Sequence, residues 1–224
     1  MARSASDTRS RLLEAAERLF AERGIDGVSL REINQAAGAR NAIALQYHFK
    51  DRSGMLAAIL AKHHPDVEAR RHALLDEYEA GNTRDVRLLA AALVRPMAAK
   101  LSDSDGGPEF LQIWAGLLNR PDPVFPASAD DDSLCRWRAL VEPRLEADAA
   151  RLHRRFTANL YASIELARRG RSGPHTDNRL FTSYLIDVVT AILAAPVSPE
   201  TRRLADERDA ARSPVLGGNA TPAG

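Results

Sequence analysis

Three polar side chains within seven residues, Arg40, Asn41 and Gln46, have the chemistry needed to recognise nucleic-acid bases. An arginine guanidinium pairs bidentately with the major-groove edge of guanine, and an asparagine or glutamine amide pairs with adenine. Side-chain type alone does not decide the matter, because a merely solvated Gln46 would give the same sequence. A base-reading role requires that a short helix present these residues outward from a small folded unit.

The histidines and the cysteine are weaker candidates for chemistry. His63 and His64 are adjacent and so point in different directions on a helix, while His72 and His153 lack a cysteine or carboxylate partner at ligand spacing. Cys135 is the only cysteine, and no residue near it in the sequence would activate its thiol. We therefore expect no metal site, no cofactor and no catalytic residue.

Apolar residues at helical spacing predict three helices in the first fifty residues, over 7–23, 30–37 and about 42–48. Ser29 and Glu32 have the spacing of a capping box at the start of the second helix. Two short helices that follow a longer one across a glycine-containing turn are typical of a helix-turn-helix. The same periodicity also fits any small three-helix bundle.

Helical patterns continue through the rest of the chain, with Pro65 expected to kink or interrupt the helix that follows Asp51. A loop rich in proline and acidic residues is expected over 119–132, and one long helix, or two joined near Pro143, over 133–169. The most apolar predicted helix covers 178–194. We predict three regions: residues 1–52, residues 53–211, and a disordered tail at 212–224.

The composition favours an all-α fold. The chain has 224 residues and is 45% hydrophobic but only 5% aromatic, so alanine and leucine must supply most of its core. The formal net charge of +1 excludes no class of partner. A single cysteine and the lack of an apolar run of about 20 residues lead us to expect a soluble, cytoplasmic protein without a membrane partner.

Residues 9–56 resemble the TetR family of bacterial transcriptional regulators. The resemblance is carried, in order, by RLLEAAERLFAERG, GVSLREINQAAG and LQYHFKDRSGML. It implies an all-α protein whose N-terminal three-helix helix-turn-helix domain binds DNA and whose helical C-terminal domain binds an effector and dimerises. The stretch from Ala39 to Gln46 is one residue longer than the commonest family pattern, which lengthens the turn before the recognition helix.

The resemblance also implies which side chains meet DNA. Ser29 and Arg31 begin the second helix, where an anion is favoured. The predicted contacts to phosphates or bases are made by Ser29, Arg31, Arg40, Asn41, Ala44, Gln46, Tyr47, His48, Lys50 and Arg52. Tyr47 and His48 match the family's phosphate-facing pair, and Lys50 and Arg52 would clamp neighbouring phosphates. Alternatives are that Arg31 pairs with a carboxylate and that His48 only packs or caps locally.

Two further surfaces are expected in the C-terminal domain. The dimer interface is assigned to Phe181, Tyr184, Leu185, Val188, Val189 and Ile192, which repeat at helical spacing. The effector pocket is assigned to the aromatic and apolar side chains Phe110, Leu111, Trp114, Trp137 and Phe156. The alternatives are burial of the first set within the monomer and a plain core role for the second.

These features together favour a ligand-responsive repressor that binds a palindromic operator on double-stranded DNA as a homodimer. A transcriptional activator or a ligand-independent regulator of the same fold is an alternative. A helical enzyme is a remote one, because the sequence has no glycine-rich phosphate loop, nucleophile elbow or paired His-Glu motif. A helical adaptor that uses its first fifty residues for protein contacts is the other remote reading.

Overall fold

A computed structural model describes residues 2–39, 44–120, 132–173 and 175–212. Within these ranges the secondary structure is helical, with two short 3₁₀ segments at Ala99–Ser102 and Glu142–Arg144, so the predicted all-α class is confirmed. The helices are α1 (Ala2–Arg23), α2 (Leu30–Ala36), α3 (Ala44–Phe49), α4 (Arg52–Ala80), α5 (Val86–Ala98), α6 (Gly107–Leu118), α7 (Ser133–Val141), α8 (Ala147–Arg151), α9 (Arg154–Arg171), α10 (Arg179–Ala194) and α11 (Pro199–Arg212).

Helices α1, α2 and α3 form an N-terminal unit around a shared apolar core. Helix α1 begins five residues earlier than the predicted start at residue 7 and ends before Gly24, whose φ of +79° is left-handed. Helix α2 begins with the predicted capping box: the Glu32 amide donates to the Ser29 hydroxyl over 3.2 Å, and the Ser29 amide donates to the Glu32 carboxylate over 2.8 Å. The start of α2 is therefore fixed by local hydrogen bonds.

Helix α3 has six residues and is held by its buried side chains. Leu45 and Phe49 are almost fully buried in the core shared with α1 and α4. The Arg9 guanidinium on α1 lies 5.1 Å from the centre of the Phe49 ring, within the range of a cation–π contact. A helix this short is unstable alone, so these contacts determine its direction.

Helix α4 runs without interruption through Pro65, contrary to the predicted interruption. The Asp51 carboxylate caps it by accepting from the Gly54 amide over 2.8 Å. Buried side chains on both sides of the proline, Ile59 and Val67 among them, hold the two halves in one helix. Tertiary burial therefore outweighs the backbone hydrogen bond that proline removes.

The remaining helices surround α5 and α6. Helix α6 packs on α9 and on α1, and α5 packs on α4 and α10. The segment 133–169 contains α7, α8 and most of α9 instead of the one or two helices predicted, and Pro143 lies in the 3₁₀ turn after α7. The apolar core is continuous from α1 to α10, so the domain boundary at residue 52 stays a prediction. Helix α11 includes Arg212, which was predicted to begin the tail.

The described residues also bear on metal binding and on membrane insertion. They contain no group of three or more His, Cys, Asp or Glu side chains arranged to hold a metal ion. No single helix among them is long and apolar enough to cross a membrane, although α10 and α11, bent by 60°, pass that test as a pair by length and composition.

Glycine is required at position 54 by the close approach of α3 to α4. A Cβ built on Gly54 would lie 1.9 Å from the Phe49 carbonyl oxygen, so Gly54→Ala must shift backbone. We expect this substitution to lower the free energy of unfolding by about 1–3 kcal/mol, measured by chemical denaturation. The control Gly116→Ala fills open space on an exposed part of α6 and should stabilise by up to about 1 kcal/mol. Equal effects from the two variants would contradict the close approach.

The capping box makes the stability of α2 depend on pH. The amide and hydroxyl of Ser29, together with Arg23, lower the pKa of Glu32 from 4.5 to about 2. A lowered pKa stabilises the fold above the unfolded value, and this contribution is lost as the pH falls from 4.5 towards 2. Glu32→Gln, which keeps the capping acceptor, should lower Tm at pH 7 and approach the wild-type Tm near pH 2. A Tm difference that does not change with pH would contradict this assignment.

Candidate nucleic-acid interface

Helix α3 has one face in the core and one in solvent. Leu45 and Phe49 point inward, whereas Gln46 is exposed and Tyr47 is 81% exposed. The half-buried His48 ring lies 5.0 Å from the Tyr47 ring, edge to face, and 6.2 Å from Phe49. Since His48 packs between its neighbours, the alternative of a local packing role is compatible with the structure. Tyr47 presents its aromatic ring to solvent on the outer face of α3.

The start of α2 offers a polar surface beside this helix. The Ser29 hydroxyl is occupied by the capping box, in which it lies 2.7 Å from the Glu32 carboxylate. Arg23 holds the same carboxylate over 2.8 Å and so ties the end of α1 to α2. Arg31 is exposed and, among the described residues, makes no ion pair. The alternative that Arg31 pairs with a carboxylate therefore finds no support there.

Lys50 and Arg52, predicted together as phosphate clamps, have different surroundings. Lys50 is exposed, with a left-handed φ of +66° at the turn between α3 and α4. Arg52 is half-buried and donates to the carbonyl oxygens of Ile25 and Val28 over 2.8 Å and 2.7 Å. The Arg52 guanidinium fixes the α1–α2 loop to the start of α4, because those carbonyls have no helical partner, and its phosphate contact stays a prediction.

The remaining predicted DNA contacts are Arg40, Asn41 and Ala44. Arg40 and Asn41 lie outside the described residues, so their assignment stays a prediction. Ala44 is half-buried and packs against the core at the start of α3. Its small side chain would allow close approach, and its contact with DNA stays a prediction.

The predicted pocket residues do not form one group. Phe110 and Trp114 stack with ring centres 6.3 Å apart, and His64 contacts the Trp114 ring edge-on at 5.1 Å. Burial lowers the pKa of the His64 imidazole. Leu111 is buried in the common core.

The other two predicted pocket residues stand apart from this aromatic cluster. Trp137 donates its indole N–H to the Leu89 carbonyl over 2.8 Å, and Phe156 is 38% exposed on α9. Phe156 thus lies at the surface, and its role in a pocket stays a prediction. An open cleft of about 500 Å³ between α5 and the start of α10 is lined by other residues, Arg87, Arg95 and Arg179 among them.

The predicted dimer interface is mostly used within the monomer. Leu185 and Val189 are buried against α5 and α9, and Phe181, Val188 and Ile192 are partly buried, so only Tyr184 is largely exposed, at 66%. The exposed apolar side chains of this region are Leu180, Tyr184, Ile164 and Phe156. Helices α5 and α9 cover the face of α10 that carries Leu185 and Val189. The exposed face carries Leu180 and Tyr184, which lie five positions before Leu185 and Val189 respectively.

A buried contact between a carboxylate of α1 and a histidine of α4 was not predicted from the sequence. Glu17 and His63 are 2% and 1% exposed, and their Oε1 and Nε2 atoms lie 3.1 Å apart. A carboxylate among the apolar residues of α1 was the available signal, but its partner lies 46 positions away in the chain.

Comparison with known proteins supports the assignment of the N-terminal unit. Residues 12–59 match the family described as bacterial regulatory proteins, tetR family. The HTH-type transcriptional regulator AcrR of Shigella flexneri is 42% identical over 55 residues, which are 25% of this chain and 25% of AcrR. The match thus spans a quarter of the length of this curated relative.

Solved structures of similar proteins cover more of the chain at lower similarity. A TetR-family regulator from Rhodococcus sp. gives a TM-score of 0.42 at 22% identity, covering 84% of this chain and all of its own. A gamma-butyrolactone receptor, described as ArpA-like, gives 0.44 at 21% identity and covers 83% of this chain and 98% of its own. Because both TM-scores are below 0.5, the assignment depends on the N-terminal match. Residues 12–59 are thus similar to the domain described as bacterial regulatory proteins, tetR family.

Proposed function

We propose that this protein is a ligand-responsive transcriptional repressor that binds a palindromic operator as a homodimer. The observation that carries the proposal is α3, whose inner face is buried while Gln46 and Tyr47 stand in solvent on its outer face. A short rigid helix with an outward polar face is what the major groove of DNA admits.

Within this proposal the exposed groups divide into two roles. Gln46 reads a base, because an amide can donate to and accept from the edge of adenine. Tyr47 and Lys50 hold phosphates, together with Arg31 at the start of α2. Arg40 and Asn41 add base contacts ahead of α3. Arg52 acts indirectly, by holding the α1–α2 loop that orients these side chains.

A dimer is supported by the outward faces of α9 and α10. Leu180 is 82% exposed and Tyr184 is 66% exposed, and Ile164 on α9 is 41% exposed. Helix α10 packs on α9, so these exposed apolar side chains lie on two neighbouring helices. Two helices from each subunit would form a four-helix bundle about a two-fold axis, burying this surface and spacing two α3 helices about 34–36 Å apart.

The effector site is proposed around Phe110, Trp114 and His64, where rings from α4 and α6 meet. A small molecule bound there would contact the helix that leads to the N-terminal unit. If it favours a dimer whose α3 helices no longer match successive major grooves, it lowers operator affinity by a coupling free energy of about 1–3 kcal/mol.

The DNA-binding proposal is tested first by selecting bound duplexes from a random pool, which should yield an inverted repeat. Gln46→Ala should relax preference at one base pair of each half-site, with a discrimination loss of about 1–3 kcal/mol. Tyr47→Ala should weaken binding to selected and scrambled duplexes alike, by about 5- to 10-fold, because a phosphate contact carries no sequence information.

Gln35→Ala is the matched control, since Gln35 is an exposed glutamine at the end of α2. It should leave both affinity and preference unchanged. The wild-type affinity should also fall linearly with log salt concentration. Absence of DNA binding at low salt would overturn the proposal and favour an adaptor, and unchanged preference in Gln46→Ala would show that α3 does not read bases.

The dimer surface is tested with the double variant Leu180→Glu and Tyr184→Glu, which places charge at the centre of the proposed interface. Sedimentation equilibrium should show a dimer for the wild type and a dimer Kd raised by at least about 100-fold in the variant, because central interface residues contribute about 2 kcal/mol or more each. The control Leu204→Glu changes a half-exposed leucine on α11 and should remain dimeric. A monomeric wild type, or a dimer unaffected by the double variant, would refute this interface.

A further inference from the structure

A buried carboxylate connects the N-terminal unit to the rest of the protein. The Glu17 side chain lies on the apolar side of α1 and is 3% exposed. Its Oε1 atom lies 3.1 Å from Nε2 of His63, and its Oε2 atom accepts from Nζ of Lys62 over 2.9 Å. A carboxylate so far from water is tolerated only because both oxygens have partners, and both partners are on α4.

The loop that starts α6 closes over the same carboxylate. Lys62 also pairs with Asp105 over 2.8 Å. Burial acts to lower the pKa of Lys62, but its hydrogen bonds to Asp105 and Glu17 outweigh burial and raise it. Gly106 has a φ of +79°, and a Cβ there would lie 2.5 Å from Oε2 of Glu17. The N-cap position of α6 therefore leaves no room for a side chain beside the Glu17 carboxylate.

On its other side, the group formed by Glu17 and its partners on α4 faces the aromatic cluster of Phe110, Trp114 and His64. The His63 ring stacks on Phe110 with centres 4.7 Å apart and planes 24° from parallel, and Phe110 in turn stacks on Trp114. His63 therefore contacts both the carboxylate of α1 and the first ring of the cluster on α6. An unbroken chain of contacts runs from Glu17 through His63 and Phe110 to Trp114.

We propose that Glu17 and His63 are positioning residues that couple the orientation of the N-terminal unit to the packing of the aromatic cluster. This inference rests on the proposed function, since it concerns how DNA binding is sensed at the effector site. If Phe110 moves, the His63 ring is displaced and its hydrogen bond to Glu17 changes. The packing of α1 against α4 then changes as well. Coupling free energy is reciprocal, so occupancy of the N-terminal unit by DNA must in turn alter the surroundings of Trp114.

The chain offers a direct test because it has two tryptophans. Full-length protein labelled with 5-fluorotryptophan should give two ¹⁹F resonances, assigned with Trp114→Phe. Saturating the wild type with the selected operator duplex should shift the Trp114 resonance more than that of Trp137, which is held by Leu89 outside the stack. In Glu17→Gln, which keeps the size and a hydrogen-bonding end group, the duplex should still bind while the Trp114 shift falls by at least half.

Glu14→Gln is the matched control, an exposed glutamate one turn earlier on α1, and it should respond like the wild type. His63→Gln keeps a donor for Glu17 but removes the ring that stacks on Phe110, so it should also lose the Trp114 shift. This variant replaces Glu17→Gln in the test if Glu17→Gln does not fold. A wild type that does not bind DNA would refute the proposed function. A wild type that binds without a Trp114 shift, or a folded Glu17→Gln or His63→Gln with the full shift, would refute the coupling alone.

Discussion

The burial of Leu45 and Phe49 is the contact on which the candidate DNA interface depends. Six residues cannot form a stable helix by themselves, so α3 exists, and points where it does, because these two side chains enter the core of α1 and α4. Because Leu45 and Phe49 fix the orientation of α3, they also fix where its outward side chains point. The cation–π contact of Arg9 and the carbonyl contacts of Arg52 brace the same unit from its two neighbouring helices.

Local signals in the sequence predicted local structure well. The Ser29–Glu32 capping box, the inward positions of Leu45 and Phe49, and the helical class all follow from residue type and spacing within a few positions. Asp51 caps α4 by accepting from an amide only three positions along the chain. Such features are set by hydrogen bonds and periodicity that operate over one or two helical turns.

Features that depend on distant partners could not be predicted in this way. The role of Arg52 depends on carbonyls 24 and 27 positions earlier, and the role of His63 depends on a carboxylate 46 positions earlier. The predicted dimer residues repeat at helical spacing, but which face of α10 stays outward depends on how α5 and α9 pack against it. Leu180 and Tyr184, which are exposed, lie four positions apart and so share one face of α10. Helical spacing alone therefore fits this outward face as well as the covered one, and only the packing of α5 and α9 distinguishes them.

Pro65 gives α4 an uneven stiffness along its length. At 29 residues the helix is about 44 Å long and runs from the N-terminal unit into the body of the protein. Because proline carries no amide hydrogen, the Ala61 carbonyl lacks its usual helical partner, and this weakest turn contains Lys62 and His63. A bend of about 5° there would move the near end of α4, some 20 Å away, by roughly 2 Å. A bend at this turn would therefore be centred beside the buried carboxylate of α1.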